Sequence, residues 1–367
     1  MLSFGLMTLS LNHEKGYFYE LAKRAQSHNI QCFRFVPSSI HPLTQKVNGE
    51  QFNLTANGWE PCEFPIPEVI YDRCFYSDDS HSSQCKAIVK WLKTRKDILF
   101  LGHGLPNKLH LYDAIANTSL SPYLLHSMPL SSGEKLIQSL SPQQAVVIKP
   151  VNGSQGRGIY LLKITSNELH VQTDKLTTHL SRTFASSRSA IAWLNRLISN
   201  QDYFVQPYVN LRYEGNVPFD IRTLIQKDEK GNWREICRGI RTGMRNGIIS
   251  NLRAGGSITS FESWIHTLPE SQSEFICNEL DEVLSRIPII LDQKFPPLFE
   301  LGVDIGVSDN GAIWILDINS KPGRTVALTL KPELTEILFN APLLYGKTLK
   351  IRERSHSNEE IFSIRNS

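Results

Sequence analysis

Val146-Val147-Ile148-Lys149-Pro150-Val151-Asn152-Gly153-Ser154-Gln155-Gly156-Arg157-Gly158-Ile159-Tyr160 is an apolar run with a lysine at its end, a glycine-rich loop, and a second apolar run. Lysine is a compact point charge suited to phosphate. Glycines let backbone N–H groups come close to an anion. The loop order is G-x-x-G-x-G, lacks Gly-Lys-Ser/Thr, and precedes a strand rather than a helix. These features exclude Walker A and the dinucleotide-binding fingerprint. What remains is either an ordinary hairpin turn or a hairpin that closes over phosphates between Lys149 and Arg157. The two charges favour phosphate and point to ATP.

A second pattern lies in Phe299-Glu300-Leu301-Gly302-Val303-Asp304-Ile305-Gly306 and Trp314-Ile315-Leu316-Asp317-Ile318-Asn319, which flank Asp309-Asn310-Gly311. Asp317 and Asn319 are two apart and share a strand face. A two-residue Asn310-Gly311 turn would set Asp304 directly opposite Asp317. Carboxylates with Cβ atoms roughly 5 Å apart repel in an apolar sheet, and a divalent cation would cancel that cost. A ligand set of oxygens selects Mg²⁺ over zinc or copper. The alternative, acids facing solvent on a half-exposed strand, fits poorly among Ile, Val, Trp and Leu.

The third pattern is basic: Asp220-Ile221-Arg222, Arg238-Gly239-Ile240-Arg241, and Asn251-Leu252-Arg253-Ala254-Gly255-Gly256. Asp220 and Arg222 share a strand face. They form either a salt bridge with each other or a pair in which Arg222 meets an anion and Asp220 orients it or a ribose. No aromatics interleave these arginines for base stacking, so a small anionic ligand is expected rather than nucleic acid.

The chain as a whole agrees. Its 367 residues hold two or three domains. A hydrophobic content of 41%, a charged content of 20% and a net charge of +3 suit a globular protein that binds neither nucleic acid nor membrane. The six cysteines form no C-x-x-C pair and are expected as free thiols in a reducing compartment. Met1–Gly16 lacks the marks of a signal peptide, and no apolar run approaches the ~20 residues of a spanning helix. A cytoplasmic protein is expected. No G-x-S-x-G or Cys–His pattern supports covalent catalysis.

The element pattern is α/β (α+β). Strands are predicted at 2–9, 32–36, 69–73 and 98–101, alternating with helices at 17–28 and 81–94. A hairpin is expected within 49–67, marked by Asn-Gly at 48–49 and 57–58. This unit, 1–101, precedes a glycine-loop unit at 102–205, a metal-site unit at 206–351 and a frayed polar tail at 352–367. The best helix of the third unit is predicted over 269–287.

Taken in order, Lys149 to Gly323 resembles the ATP-grasp fold: a small N-terminal α/β domain followed by two α+β subdomains that clamp ATP. Val205-Gln206-Pro207-Tyr208-Val209 resembles the hinge that receives adenine. Asp220-x-Arg222, Arg241 and Asn251-Leu-x-x-Gly255-Gly256 resemble ligases of the glutathione-synthase and ribosomal-protein-modifying kind. Trp59, Val69-Ile70-Tyr71-Asp72-Arg73 and the Asn-Gly-Ser-Gln-Gly-Arg-Gly loop narrow the likeness to the YheC/YheD family, associated with endospore coats of Bacillus-type bacteria.

The resemblance implies an ATP- and Mg²⁺-dependent ligase that activates a carboxylate as its acyl-phosphate and passes it to an amine or thiol. It implies that Lys149, Gly153, Ser154, Gly156, Arg157 and Gly158 hold phosphates, and that Gln206, Pro207, Tyr208, Val209 and Asp220 hold the nucleoside. Arg222, Arg241 and Asn251 would neutralise the transferred phosphate, and Asp304, Asp317 and Asn319 would bind Mg²⁺. Spore coat proteins are the implied partners and the spore coat an implied location. Three positions depart from the family pattern: Pro207 for Glu, Ile249 for Arg and Asp317 for Glu. Pro207 and Ile249 favour the rival reading of a structural or nucleotide-binding protein without ligation. A kinase using the same site is a further rival.

Overall fold

The computed structural model describes residues 1–142, 144–153, 156–165, 168–175, 178–213, 216–250, 252 and 255–365. Among them the strands form three six-stranded sheets. The first sheet comprises β1 (Leu2–Met7), β2 (Ile30–Phe35), β3 (Lys46–Asn53), β4 (Gly58–Pro65), β5 (Val69–Asp72) and β6 (Leu99–Phe100), in the order β4-β3-β2-β1-β5-β6. Helix α1 (Lys15–Ala25) connects β1 to β2, and α2 (Ser80–Leu92) connects β5 to β6. The β1, β2, β5 and β6 pairings are parallel. Such strands are buried on both faces, and β5 is buried at every position.

Asn48-Gly49, expected as a turn, lies inside β3 instead. A Cβ on Gly49 would come within 2.6 Å of the Arg34 carbonyl oxygen, so glycine there serves close strand approach. The hairpin turns at 54–57, where Asn57 takes the left-handed conformation (φ 52°).

After α3 (Lys108–Ile115), the second sheet is built from β7 (Met128–Pro129), β8 (Ala145–Pro150), β9 (Tyr160–Thr165), β10 (Glu168–Lys175), β11 (Thr178–Phe184) and β12 (Tyr203–Pro207), in the order β11-β10-β9-β8-β12-β7. Helices α4 (Gly133–Ser139) and α5 (Ser187–Ile198) cover one face, each started by a serine whose hydroxyl accepts an N–H of the first turn. β8 and β9 are antiparallel, and their ladder ends at Ile148–Tyr160. The segment quoted first is therefore a hairpin with a long glycine loop.

The third sheet holds β13 (Arg212–Tyr213), β14 (Val217–Lys227), β15 (Trp233–Thr242), β16 (Ser257–Ser260), β17 (Glu300–Val307) and β18 (Ile313–Asn319), with β14 at the centre between β15 and β17. It packs on α6 (Phe261–Ile265) and α7 (Glu270–Lys294) through Ile221, Ile240, Ile276, Leu280, Ile305 and Ile315. Helix α7 outruns its expected end at 287. Pro288 removes one helical hydrogen bond, but Ile287, Ile290 and Leu291 on either side are buried and carry the helix through. Helices α8 (Thr325–Leu330) and α9 (Thr335–Arg365) return to the first sheet. Helix α9 runs through residues 352–365, which were expected to be frayed.

Candidate functional site

In the glycine loop, Gly156 and Gly158 have φ of 71° and 73°, a region in which other residues are strained. A Cβ on Gly153 or Gly158 would sit 3.0 Å from Pro150, so the loop folds back onto the end of its own strand. Arg157 is exposed at its tip. Ser154 and Asn251, two of the expected site residues, lie outside the described residues.

Lys149 sits across from Phe204 near the end of β8. Among the described residues it has no ion-pair partner. Burial, and then Lys108 nearby, push its ammonium down to about 8, against the pull of Asp317 and Asp304. That influence places Lys149, Lys108 and the two aspartates in one electrostatic neighbourhood.

Asp304 and Asp317 are directly opposite on β17 and β18, and Asn319 lies opposite Gly302. The turn is not the two-residue one expected: Ser308 N–H donates to the Ala312 carbonyl, and Gly311 (φ 81°) lies within a wider loop. A bulge between Asp304 and Ile305 restores the register by leaving Leu316 unpaired.

Asp220 and Arg222 do not pair with each other. Arg222 bonds Asp304 at 2.5 Å and Arg241 forks onto Asp220 at 2.8 and 2.6 Å. Each pair is directly cross-strand, where side chains are closer than residues two apart on one strand. Arg241 also reaches Asp304 at 3.0 Å, and Ser250 donates to Asp220. Burial would raise the Asp304 carboxyl, but Arg222 and Arg241 outweigh it and bring it to about 2. Asp220 moves the other way: burial raises it, with repulsion from Asp304, despite Arg241. Gly302 is part of this arrangement, since a Cβ there would lie 2.5 Å from the Arg222 guanidinium.

On Asp317, Oδ2 accepts from Lys108 Nζ at 2.9 Å and from Asn319 Nδ2 at 3.0 Å, while buried Oδ1 has no partner among the described residues. A buried carboxylate oxygen left bare is costly, and a hard cation would satisfy it. Among the described residues no three His, Cys, Asp or Glu side chains form a ready metal cluster. The donor set here is two carboxylates and an amide oxygen, and it fits Mg²⁺ provided Asp304 yields an oxygen from its arginines. Sequence reading missed Lys108, which starts α3 behind an Asn107 cap.

At the expected hinge, Gln206 is buried and donates to Ser127 Oγ at 2.9 Å, and its Oε1 has no partner among the described residues. Tyr208 N–H donates to the Ala145 carbonyl, and beyond Pro207 the chain leaves the sheet. The second and third sheets are also tied directly. Asp174 on β10 accepts the N–H groups of Ile248 and Ile249 at 2.7 and 3.1 Å and holds His179 at 2.8 Å. Ile249, at the position of an expected arginine, thus presents its backbone to this tie.

A second buried network lies at the start of β17. Arg73 forks onto Glu14 at 2.8 and 2.6 Å and meets Glu300 at 2.8 Å, and Glu300 also takes Arg324 and Tyr71 at 2.5 Å each. Arg73 Nη2 reaches the Pro322 carbonyl at 3.2 Å, and Lys321 bonds Asp72 at 2.7 Å. The first sheet is thereby fastened to the loop that follows Asn319.

One α+β unit with a glycine-loop hairpin, followed by a second whose sheet is lined with arginines and carboxylates, is the arrangement of the ATP-grasp class, the fold of ATP-dependent ligases. A family model described as YheC/D like ATP-grasp matches residues 97–349, and the chain belongs to this family. It is 38% identical over 348 residues to "Endospore coat-associated protein YheC" of Bacillus subtilis (strain 168), covering 94% of each chain. It is 26% identical to "Endospore coat-associated protein YheD" of the same strain, over 84% of this chain and 68% of that one. Among solved structures, the ATP-grasp ligase PsnB complexed with minimal precursor shares the fold at a TM-score of 0.54 and 14% identity, over 94% of this chain and 99% of that one. No helix among the described residues is long and apolar enough to cross a membrane.

Proposed function

We propose that the chain binds ATP with Mg²⁺ between its second and third sheets and ligates a carboxylate to an amine or thiol. The observation that carries this is one neighbourhood left incomplete among the described residues: Lys149 has no ion-pair partner there, and Asp317 Oδ1 has no hydrogen-bond donor. Magnesium-bound polyphosphate supplies both at once. Lys149 and Lys108 would hold phosphate oxygens, the 153–158 loop would cover them, and the backbone around Tyr208 would receive the base, with Asp220 on the ribose side. Asp304, Asp317 and Asn319 would hold Mg²⁺, which when bound neutralises charge on the phosphates.

The substrate carboxylate oxygen attacks the γ-phosphorus, and the bond to the β–γ bridging oxygen breaks to release ADP. The amine or thiol then attacks the acyl carbon and gives up its proton to solvent, and the acyl C–O bond breaks with its electron pair passing to the departing phosphate. Arg222 and Arg241 contribute by turning from their aspartates toward the transferred group; the family resemblance alone assigns Asn251 to the same task. The names of the two Bacillus relatives support an association with the endospore coat and coat proteins as partners.

Calorimetry with ATP, with and without Mg²⁺, tests the binding half. Saturable binding that Asp304→Ala weakens at least about tenfold is expected, and no ATP affinity in the wild type refutes the reading. Screening ADP release against amino acids and peptides, with mass spectrometry of products, tests the ligation half. Binding without turnover would leave a passive nucleotide-binding coat protein, and phosphorylated product would indicate a kinase.

A further inference from the structure

Outside the nucleotide cleft, a cavity of about 760 Å³ has no assigned role; it is bounded by the start of α1, the β3–β4 hairpin, α8 and α9. That volume is in the range of sites for sizeable organic ligands. Its position follows from topology. The crossover from β1 through α1 and that from β5 through α2 leave the parallel strands in opposite directions along the sheet, so a crevice opens beyond their carboxyl ends. Glu14 stands there in the left-handed conformation (φ 47°), clamped by Arg73, which follows β5. Arg324, five residues beyond Asn319, forms another wall.

The lining has a definite chemistry. Two N–H groups of its lining residues, Trp59 Nε1 and Arg324 Nε, are buried and have no acceptor among the described residues. Both side chains are fixed: Arg34 lies 4.6 Å over Trp59, and Arg324 lies 3.8 Å over Tyr17 while its Nη2 serves Glu300 and Tyr71. Lys15 at the rim is exposed and has no ion-pair partner among the described residues. The carboxylates that line the cavity are spoken for, Glu14 by Arg73 and Glu20 by Arg24. Unused donors and a free ammonium, without an unpaired carboxylate, favour an anion. The remaining wall, with Tyr19, Leu328 and Phe339, is apolar.

We infer that this cavity binds the carboxyl end of a short peptide with a bulky apolar last residue, and that it is the substrate-recognition site of the ligase. Its role in ligation rests on the function proposed above, but peptide binding does not. The side chain would lie between Trp59, Leu328 and Phe339, and the carboxylate would meet the donors of Trp59 and Arg324 with Lys15 at the rim. A single amino acid would leave much of the volume empty.

Calorimetry on the full chain without nucleotide, using Gly-Gly-Phe, its C-terminal amide and free phenylalanine, tests this. Gly-Gly-Phe is expected to saturate the protein one to one, with the amide and free phenylalanine each at least about tenfold weaker. Trp59→Ala and the cavity-filling Leu328→Trp should each cost a similar factor while leaving Mg-ATP binding unchanged. Leu328→Trp alone decides the matter if Trp59→Ala fails to fold. Absence of saturable Gly-Gly-Phe binding, or equal affinity in the filled variant, overturns the assignment. Tighter binding by free phenylalanine than by Gly-Gly-Phe overturns the peptide. Loss of ATP binding with retained peptide binding would instead count against the nucleotide reading.

Discussion

Lys149 offers a test that reads charge directly. Its ammonium is held down to about 8 from an ordinary 10.5, by burial first and by Lys108 second. In the free protein it is therefore charged below about pH 8 and neutral above. A polyphosphate beside it stabilises the charged form and returns it toward the ordinary value. Above pH 8, ATP can bind to a charged lysine only by taking up a proton. Near pH 8.5 the neutral fraction gives an uptake of about three quarters of a proton, and near pH 7 about a tenth. The same linkage weakens affinity about tenfold between about pH 7 and pH 9, or about 1.4 kcal/mol. The terminal phosphate, with its last pKa near 6, contributes little in this range. Calorimetry in buffers of different ionisation heat measures the uptake. Lys149→Arg keeps a charge that cannot be titrated here, so it should bind without uptake and with a flat profile. Equal uptake in the wild type and Lys149→Arg, or an affinity that does not fall above pH 8, would refute the placement of Lys149 on phosphate.

Three other outcomes are expected. Glu300 is 1% exposed and neutralises both Arg73 and Arg324; Glu300→Gln leaves two buried guanidinium groups undercompensated and should cost about 3–5 kcal/mol in urea unfolding. Asp174→Ala removes the acceptor of two backbone N–H groups, so the amides of Ile248 and Ile249 should lose hydrogen-exchange protection while those of β14 keep theirs; unchanged protection would show that the tie between the sheets is held elsewhere. Lys108→Ala strips Asp317 of its cation, which should strengthen Mg²⁺ binding measured without nucleotide and weaken ATP binding measured without metal; a loss of both would contradict a role for Lys108 as an internal counter-ion.

Much of the fold was legible because its strands are buried and its turns chemically marked. The glycine hairpin, the paired strands around Asp304 and Asp317, and the alternating elements of the first sheet all carry local signals. What escaped reading lacks them. β11 is an edge strand exposed on most positions, so Thr178–Phe184 shows no hydrophobic period. Lys108 meets Asp317 across 209 positions, and Arg73 meets Glu300 across 227. No local pattern encodes contacts of that range. The apolar neighbours of Arg73 and Glu300 mark them as buried, but not with whom.

The register of β17 and β18 shows which constraints the sequence states firmly. A two-residue turn was the wrong turn, yet it put Asp304 opposite Asp317, as the folded chain does. The wider loop shifts the near end of the hairpin by one residue, and the bulge at Leu316 shifts it back before the aspartates are reached. The bulge has a use of its own, because the Leu316 carbonyl accepts the Tyr112 hydroxyl at 2.9 Å, fastening α3 to the strand beside Asp317. Helix α3 is the element that delivers Lys108 to that same carboxylate. The extra residue in the hairpin therefore does two things at once: it keeps the carboxylates opposed, and it anchors the helix whose lysine occupies one of them.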